Sequence, residues 1–161
     1  MIRVQREDFD VSGELAALTA GNHAIGGAVA FVGLVRDMAP GDGGTASINA
    51  MTLEHYPGMT EKKLAEIEAE AIARWPLEAS LIIHRYGRLE PGEQIVLVIC
   101  ASAHRQAAFD ACNFLMDWLK TEAPFWKLED TDAGANWVEA RASDDAAKSR
   151  WHDKDDNEAA E

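Results

Sequence analysis

Apolar positions recur along this chain with two periods, and the switches between them mark out its elements. Ile2 to Gln5 predicts a short strand, followed by a helix over Ser12 to Thr19 that stops at Gly21 and Asn22. The run GAVAFVGLV from Gly27 to Val35 is apolar on both faces of a pleat, the pattern of a strand buried on both sides, and it ends abruptly in Arg36-Asp37. Met38 to Thr45, rich in Gly and Pro, reads as a loop, and Ser47 to His55 as a further strand. Pro57-Gly58 opens a helix to about Trp75, with Leu64, Ile67, Ala71 and Trp75 at helical spacing and Pro76 as its stop. Leu81 to Tyr86 and Gln94 to Ala101 predict two strands of a hairpin, joined through Gly87 to Glu93 with Pro91-Gly92 at the turn. The second of these, QIVLVICA, should be central in its sheet.

Ser102 is placed to cap a long helix from Ala103 to about Lys120, whose apolar stripe runs through Ala108, Cys112, Leu115 and Leu119. Pro124 forbids much continuation, and Phe125 to Glu129 and Asn136 to Arg141 read as short extended pieces about a turn at Gly134. Strands and helices interleave, but the hairpin argues against an all-parallel sheet. The pattern therefore predicts an α+β fold with a mostly antiparallel or mixed sheet.

Composition narrows the picture. A chain of 161 residues, 47% of them hydrophobic, is long enough for one domain with a real core. We place that domain at 2–151, with the acidic tail 152–161 disordered. A formal net charge of −13 argues against general affinity for nucleic acid or an anionic membrane, which makes any basic cluster informative. No apolar run approaches the roughly 18 residues that span a bilayer, and the first residues lack the apolar core of a signal peptide, so a cytoplasmic protein is expected. Cys100 and Cys112 sit alone in apolar surroundings and read as buried, reduced thiols. His23, His55 and His84 form no metal-ligand spacing with one another or with the cysteines, and they read as structural; no metal is expected. The pairs Gly26-Gly27 and Gly43-Gly44 match neither a dinucleotide fingerprint nor a phosphate-binding loop, and no cofactor is expected.

The sharpest anomaly is His104-Arg105, which puts a potential and a certain cation at the positive end of a helix, a mismatch of about 0.3–1 kcal/mol per full charge. A bound anion would relieve it, because free backbone N–H groups and a guanidinium fork make an effective phosphate or carboxylate site. An ion pair of Arg105 with one of the many carboxylates is the plainer reading. Arg36 stands where a strand runs out, a place that ligands commonly approach. Lys120 falls in the last turn of its helix, where a lysine is favourable on structural grounds alone. Lys127, between Trp126 and Leu128, is expected to be partly buried. If Lys120 and Lys127 converge, desolvation and mutual repulsion favour a neutral amine, usable as a base or nucleophile.

Taken in order, GAVAFVGLVRD, LEHYPGMTEKKL, HRYGRLEPGE, SAHRQAAFDACNFLMDWLKTEAPFWK and WVEAR resemble the large, catalytic subunit of molybdopterin synthase, over about residues 2 to 151. That resemblance implies an α/β hammerhead fold with an additional small antiparallel sheet. It also implies a homodimer, each protomer carrying a small ubiquitin-like sulfur-carrier subunit whose C-terminal Gly-Gly ends as a thiocarboxylate, a heterotetramer in all. The implied reaction is sulfur transfer, twice, onto cyclic pyranopterin monophosphate to make the dithiolene of molybdopterin. By matched position, Arg36, His104 and Arg105 would hold the phosphorylated pterin, Lys120 would do acid/base work, and Lys127 would contact substrate or the carrier's carboxyl group. An arginine from the neighbouring protomer would complete the pocket, Arg36 or Arg141 being the candidates. Leu34 and Leu128 depart from the family, which favours polar or basic residues there, so neither side chain serves as a phosphate ligand. The residues alone leave one alternative of another class, a non-catalytic anion-binding adaptor that docks a partner's acidic C-terminal tail.

Overall fold

The computed structural model describes residues 1–37, 48–131, 134–138 and 151. Eleven elements follow in chain order: β1 (Ile2–Gln5), α1 (Val11–Thr19), β2 (Gly27–Leu34), β3 (Ile48–His55), α2 (Met59–Arg74), β4 (Leu77–Arg85), β5 (Gly87–Leu89), β6 (Gln94–Ser102), α3 (Arg105–Thr121), β7 (Phe125–Thr131) and β8 (Gly134–Val138). They form the expected α+β fold. One mixed sheet has the order β1-β4-β6-β2, with β1 parallel to β4 and the other pairs antiparallel, and an antiparallel sheet has the order β5-β3-β7-β8. The loop reading of 38–45 and the tail 152–161 lie outside the described residues.

Two apolar layers cover the mixed sheet. Leu81 and Ile83 of β4 and Leu97 and Ile99 of β6 face Phe9 and the Val11, Leu15 and Leu18 stripe of α1. Their neighbours Ile82, Val96, Val98 and Cys100 face α2 and α3, through Leu64, Ile67, Ala71, Ala108, Ala111, Phe114 and Leu115. Alternate residues of a strand point to opposite faces, so a sheet with helices on both sides must be apolar at every position, as QIVLVICA is. β6 is indeed central. A third cluster, Val35, Leu53 and Leu89, joins the two sheets.

Three expectations are corrected. β2 is the edge of its sheet, and Ala28, Ala30, Phe31 and Leu34 are exposed, because no strand lies beyond it to cover them. Ser102 does not cap α3: it belongs to β6, its hydroxyl donates to Pro76 O at 2.8 Å, and the helix starts later, with His104 as its cap residue. Gly87 to Glu93 is more than a hairpin connection, since Gly87–Leu89 pairs with Met51 to Leu53 as a strand of the second sheet.

Candidate active site

The direction of α3 decides which candidate residues meet. Beginning beside the end of β6, the helix runs back along it: Cys112 reaches Cys100, and its hydrogen bond is the main reason the Cys100 thiol titrates far above its ordinary range. Both cysteines are buried and unbridged. After α3 a tight turn follows, in which Phe125 N donates to Ala123 O at 2.7 Å and the Thr60 hydroxyl to Pro124 O at 3.4 Å. β7 then enters the second sheet with Phe125 stacked on His84 of β4, ring centroids 3.6 Å apart. Lys120, in the last turn of α3, and Lys127, in β7, thus flank one turn at one end of the molecule. Arg36 belongs to the same end. Strand β2 runs from Gly27 beside Ser102 to Leu34 beside Gln94, and Val35 is then pinned by Val35 N to Glu93 O at 2.9 Å and Gly92 N to Val35 O at 2.8 Å. Val35 packs on Leu53, whose partner across the sheet is Lys127.

His104 and Arg105 lie at the other end. Arg105 opens the helix and Lys120 closes it, fifteen residues later, which separates their backbones by about 22 Å at ~1.5 Å per residue. The helix therefore carries His104 and Arg105 away from Lys120 within one chain, while the paths of β2 and β7 put Arg36 and Lys127 toward the Lys120 end.

The local structure makes His104 and Arg105 a distinctive helix start. Gly26 donates to Ser102 O at 3.0 Å, and a Cβ at Gly26 would stand 2.1 Å from Ala103 O, so only glycine lets the β2 backbone approach this junction. His104, the cap residue, makes no side-chain capping bond; the first turn holds no acidic residue, and residues 103–106 are exposed. Backbone N–H groups and a guanidinium here face outward together, the arrangement that binds phosphate or carboxylate.

Lys127 is exposed, not partly buried as its neighbours predicted. Its large neighbours do not cover it, because Trp126 and Leu128 point to the opposite face of β7, where Trp126 is 50% exposed. Lys120 is exposed as well, so any desolvation of the two amines must come from what docks over them. Leu34 is exposed and Leu128 partly covered, and neither offers a polar group. Arg141 lies outside the described residues.

Behind Lys127 sits a group of rings. His84 is buried, and its Nδ1 lies 2.9 Å from Arg85 O; because a carbonyl only accepts, the neutral ring carries its proton on Nδ1. Burial pulls its pKa from 6.5 down to about 4, against the Arg85 carbonyl, which favours the charged form; the charges of Lys127 and His55 add to the lowering. His55 lies against Tyr86 at 4.3 Å and near Glu61 at 3.8 Å. Among the described residues no group of three His, Cys, Asp or Glu side chains could hold a metal ion, and no helix is long and apolar enough to cross a membrane.

Residues 4–122 match the family described as MoaE protein. This chain belongs to the MoaE family. A molybdopterin synthase catalytic subunit from Pseudomonas aeruginosa is 62% identical over 152 residues, covering 94% of this chain and 99% of that one. The solved MoaE protein of Burkholderia ambifaria is 53% identical with a TM-score of 0.79, covering 94% and 97%. A chain of a Helicobacter pylori protein-protein complex of subunits 1 and 2 of molybdopterin-converting factor, 18% identical, shares the fold at a TM-score of 0.70, covering 87% and 91%. Membership in the MoaE family makes this chain an enzyme subunit, the catalytic one of molybdopterin synthase, and sets aside the adaptor without turnover.

Proposed function

We propose that this subunit performs two sulfur transfers from the C-terminal thiocarboxylate of a small carrier protein to cyclic pyranopterin monophosphate, in a pocket shared between two protomers. The observation that carries the reading is the split of the basic residues: the helix start at Arg105 lies about 22 Å along the backbone from Lys120, a gap that a second copy would close by supplying one half. His104 and Arg105 of one protomer hold the substrate's phosphate, while Arg36, Lys120 and Lys127 of the other surround the reacting pterin and the carrier's tail. In this reading both sulfur and carrier arrive in trans. Among the relatives, the Helicobacter pylori protein was solved as a complex of two subunits, which fits a small partner of this kind. A cytoplasmic homodimer carrying two carriers is the assembly this reading requires.

In each transfer the thiocarboxylate sulfur adds to a side-chain carbon of the pterin whose C–O bond breaks, the oxygen leaving as water or as the ring-opened phosphate. The resulting thioester joins carrier to substrate, and water cleaves its acyl–sulfur bond, releasing the carrier as a carboxylate and leaving the thiolate on the pterin. Lys120 moves protons to and from the pterin during addition and breakdown. Lys127 stabilises negative charge on the carrier's acyl oxygen. Docking of the carrier and the second protomer covers both amines, which strengthens their electrostatic effect.

Subunit mixing tests the shared pocket. Lys120→Ala and Arg105→Ala proteins are dissociated, mixed and reassembled, and dithiolene formation is measured at a substrate concentration low enough that each alone is nearly silent. In a two-fold dimer each mixed pair has one pocket with both defects and one with neither, so activity should return to about a quarter of wild type. No recovery despite verified subunit exchange would place the site within a single chain and sink the proposal.

A further inference from the structure

We propose that His84 is a positioning residue for Lys127: its imidazole, stacked on Phe125 at the first position of β7, fixes the strand that presents Lys127 to the pocket. The inference rests on the reading that places Lys127 in that pocket, and it adds a residue that touches no substrate.

Geometry supplies the path. His84 and Phe125 stack almost face to face, with centroids 3.6 Å apart and planes inclined by 14°. Phe125 and Lys127 are two residues apart on one strand, so they share a face, and the partners across β3, His55 and Leu53, share it too. His84 comes from β4, in the other sheet. The stack is thus a bolt between the two sheets, placed where β7 leaves the turn after α3, and a shift of Phe125 would carry Lys127 with it. A second contact holds the bolt from behind, because His84 Nδ1 donates to Arg85 O and sets the plane of the ring. The Arg85 side chain, which could otherwise compete for the site, turns away to Asp8, Glu93, Arg6 O and Gln94 O.

Charge adds a reason for a ring kept neutral. The groups that face His84 are the Lys127 ammonium and the His55 ring, with Glu61 beyond His55 and the Tyr86 ring tilted against it. A cation at position 84 would repel the amine it is meant to place. The buried imidazole offers a flat, polarisable face without that repulsion, and below its surface the carbonyl of Arg85 is satisfied.

The test uses full-length protein labelled at lysine Cε with carbon-13, the Lys127 resonance being assigned through Lys127→Arg. In His84→Ala, thermally folded at the working temperature, the Lys127 signal should move away from its wild-type position, and kcat should fall about tenfold with carrier affinity unchanged, as expected for a misplaced group. His84→Phe, which keeps a neutral ring in the stack, should restore the signal and bring kcat within about twofold of wild type. Should His84→Ala not fold, Phe125→Leu removes the stack from the β7 side and should move the signal in the same way. An unmoved Lys127 resonance in a folded stack-deleted variant overturns the proposal, and so does failure of His84→Phe to restore it. A resonance that moves while turnover does not would uphold the positioning and instead remove Lys127 from the chemistry.

Discussion

Helix α3 ends in two quite different neighbourhoods. At its start, His104 makes no capping bond, the first turn holds no acidic side chain, and residues 103–106 lie in solvent. Toward its finish, Phe114 and Asp117 are buried under Trp151, whose indole N–H donates to Asp117 Oδ2 at 2.7 Å, and the Thr121 hydroxyl returns to Asp117 O at 2.9 Å. Lys120 there complements the negative end of the helix dipole. One end is explained by the chain's own energetics; the other has its explanation in the bound anion of the proposed function. The lesson is that a site residue betrays itself by local energetics only where its role conflicts with stability. Arg105 is conspicuous for that reason; Lys120, where function and stability agree, is not.

The largest expected effect breaks that agreement. Lys120→Ala should lower turnover by about 10²- to 10⁴-fold, the range for loss of a general acid or base. Stability should fall by no more than about 0.3–1 kcal/mol, the dipole contribution alone. Dithiolene formation and a thermal melt on the same sample separate the two, and near-normal turnover would remove Lys120 from the chemistry.

Trp151 measures how firmly the finish of the helix is built. Its ring meets Trp75 and Phe114 edge-on, at 5.6 and 5.5 Å. Trp151→Ala should cost about 3–5 kcal/mol in denaturant unfolding, through the lost contacts and the indole donor together. Trp151→Phe, which keeps a ring, should cost about 1–3 kcal/mol. Equal losses would show that the hydrogen bond, and not the packing, holds this end.

Where the pattern was set by burial, the sequence was a good guide. Leu64, Ile67 and Ala71 in α2, and Ala108, Cys112, Leu115 and Leu119 in α3, are all buried as their spacing predicts. β6 reads as central because both its faces are covered. The failures have physical causes. Strand β5 has three residues, too few to show a period, and the exposed side of β2 depends on what lies beside it in space. Lys127 between Trp126 and Leu128 looks buried only if strand alternation is ignored. His84 is buried and stacked, in line with its structural reading, although its stacking partner lies 41 residues away, beyond any local signal. The separation of His104 and Arg105 from Lys120 follows from the helix length alone, whereas the second chain of the proposed pocket is something no single sequence displays.

Acidification probes the ring group beyond the helix finish. The folded pKa of His84 is lowered from 6.5 to about 4, so between these values the unfolded chain binds a proton that the native protein refuses. This contribution to stability is complete above pH 6.5 and is lost as the pH falls toward 4, amounting to about 3 kcal/mol for a shift of this size. Urea unfolding at pH 7 and pH 4.5, in wild type and His84→Phe, isolates it. The variant should lose less stability over that interval, and an identical slope in both would show that His84 protonates as freely folded as unfolded.

The smallest effect has the most informative sign. Arg105 opposes the dipole at the helix start, so Arg105→Ala should raise the stability of the ligand-free protein by up to about 0.3–1 kcal/mol at low ionic strength, less once salt screens an exposed charge. The same substitution should raise KM for the pterin phosphate, because the guanidinium fork is lost. Inorganic phosphate links the two halves of the claim. A ligand that binds only the native state adds stability as RT ln(1 + [L]/Kd), so phosphate should raise the melting temperature of wild type more than that of the variant. At sufficient phosphate the order of stabilities should reverse. If both proteins respond equally, the cations at this helix start serve some other purpose, and the contrast between the two ends of α3 loses its functional meaning.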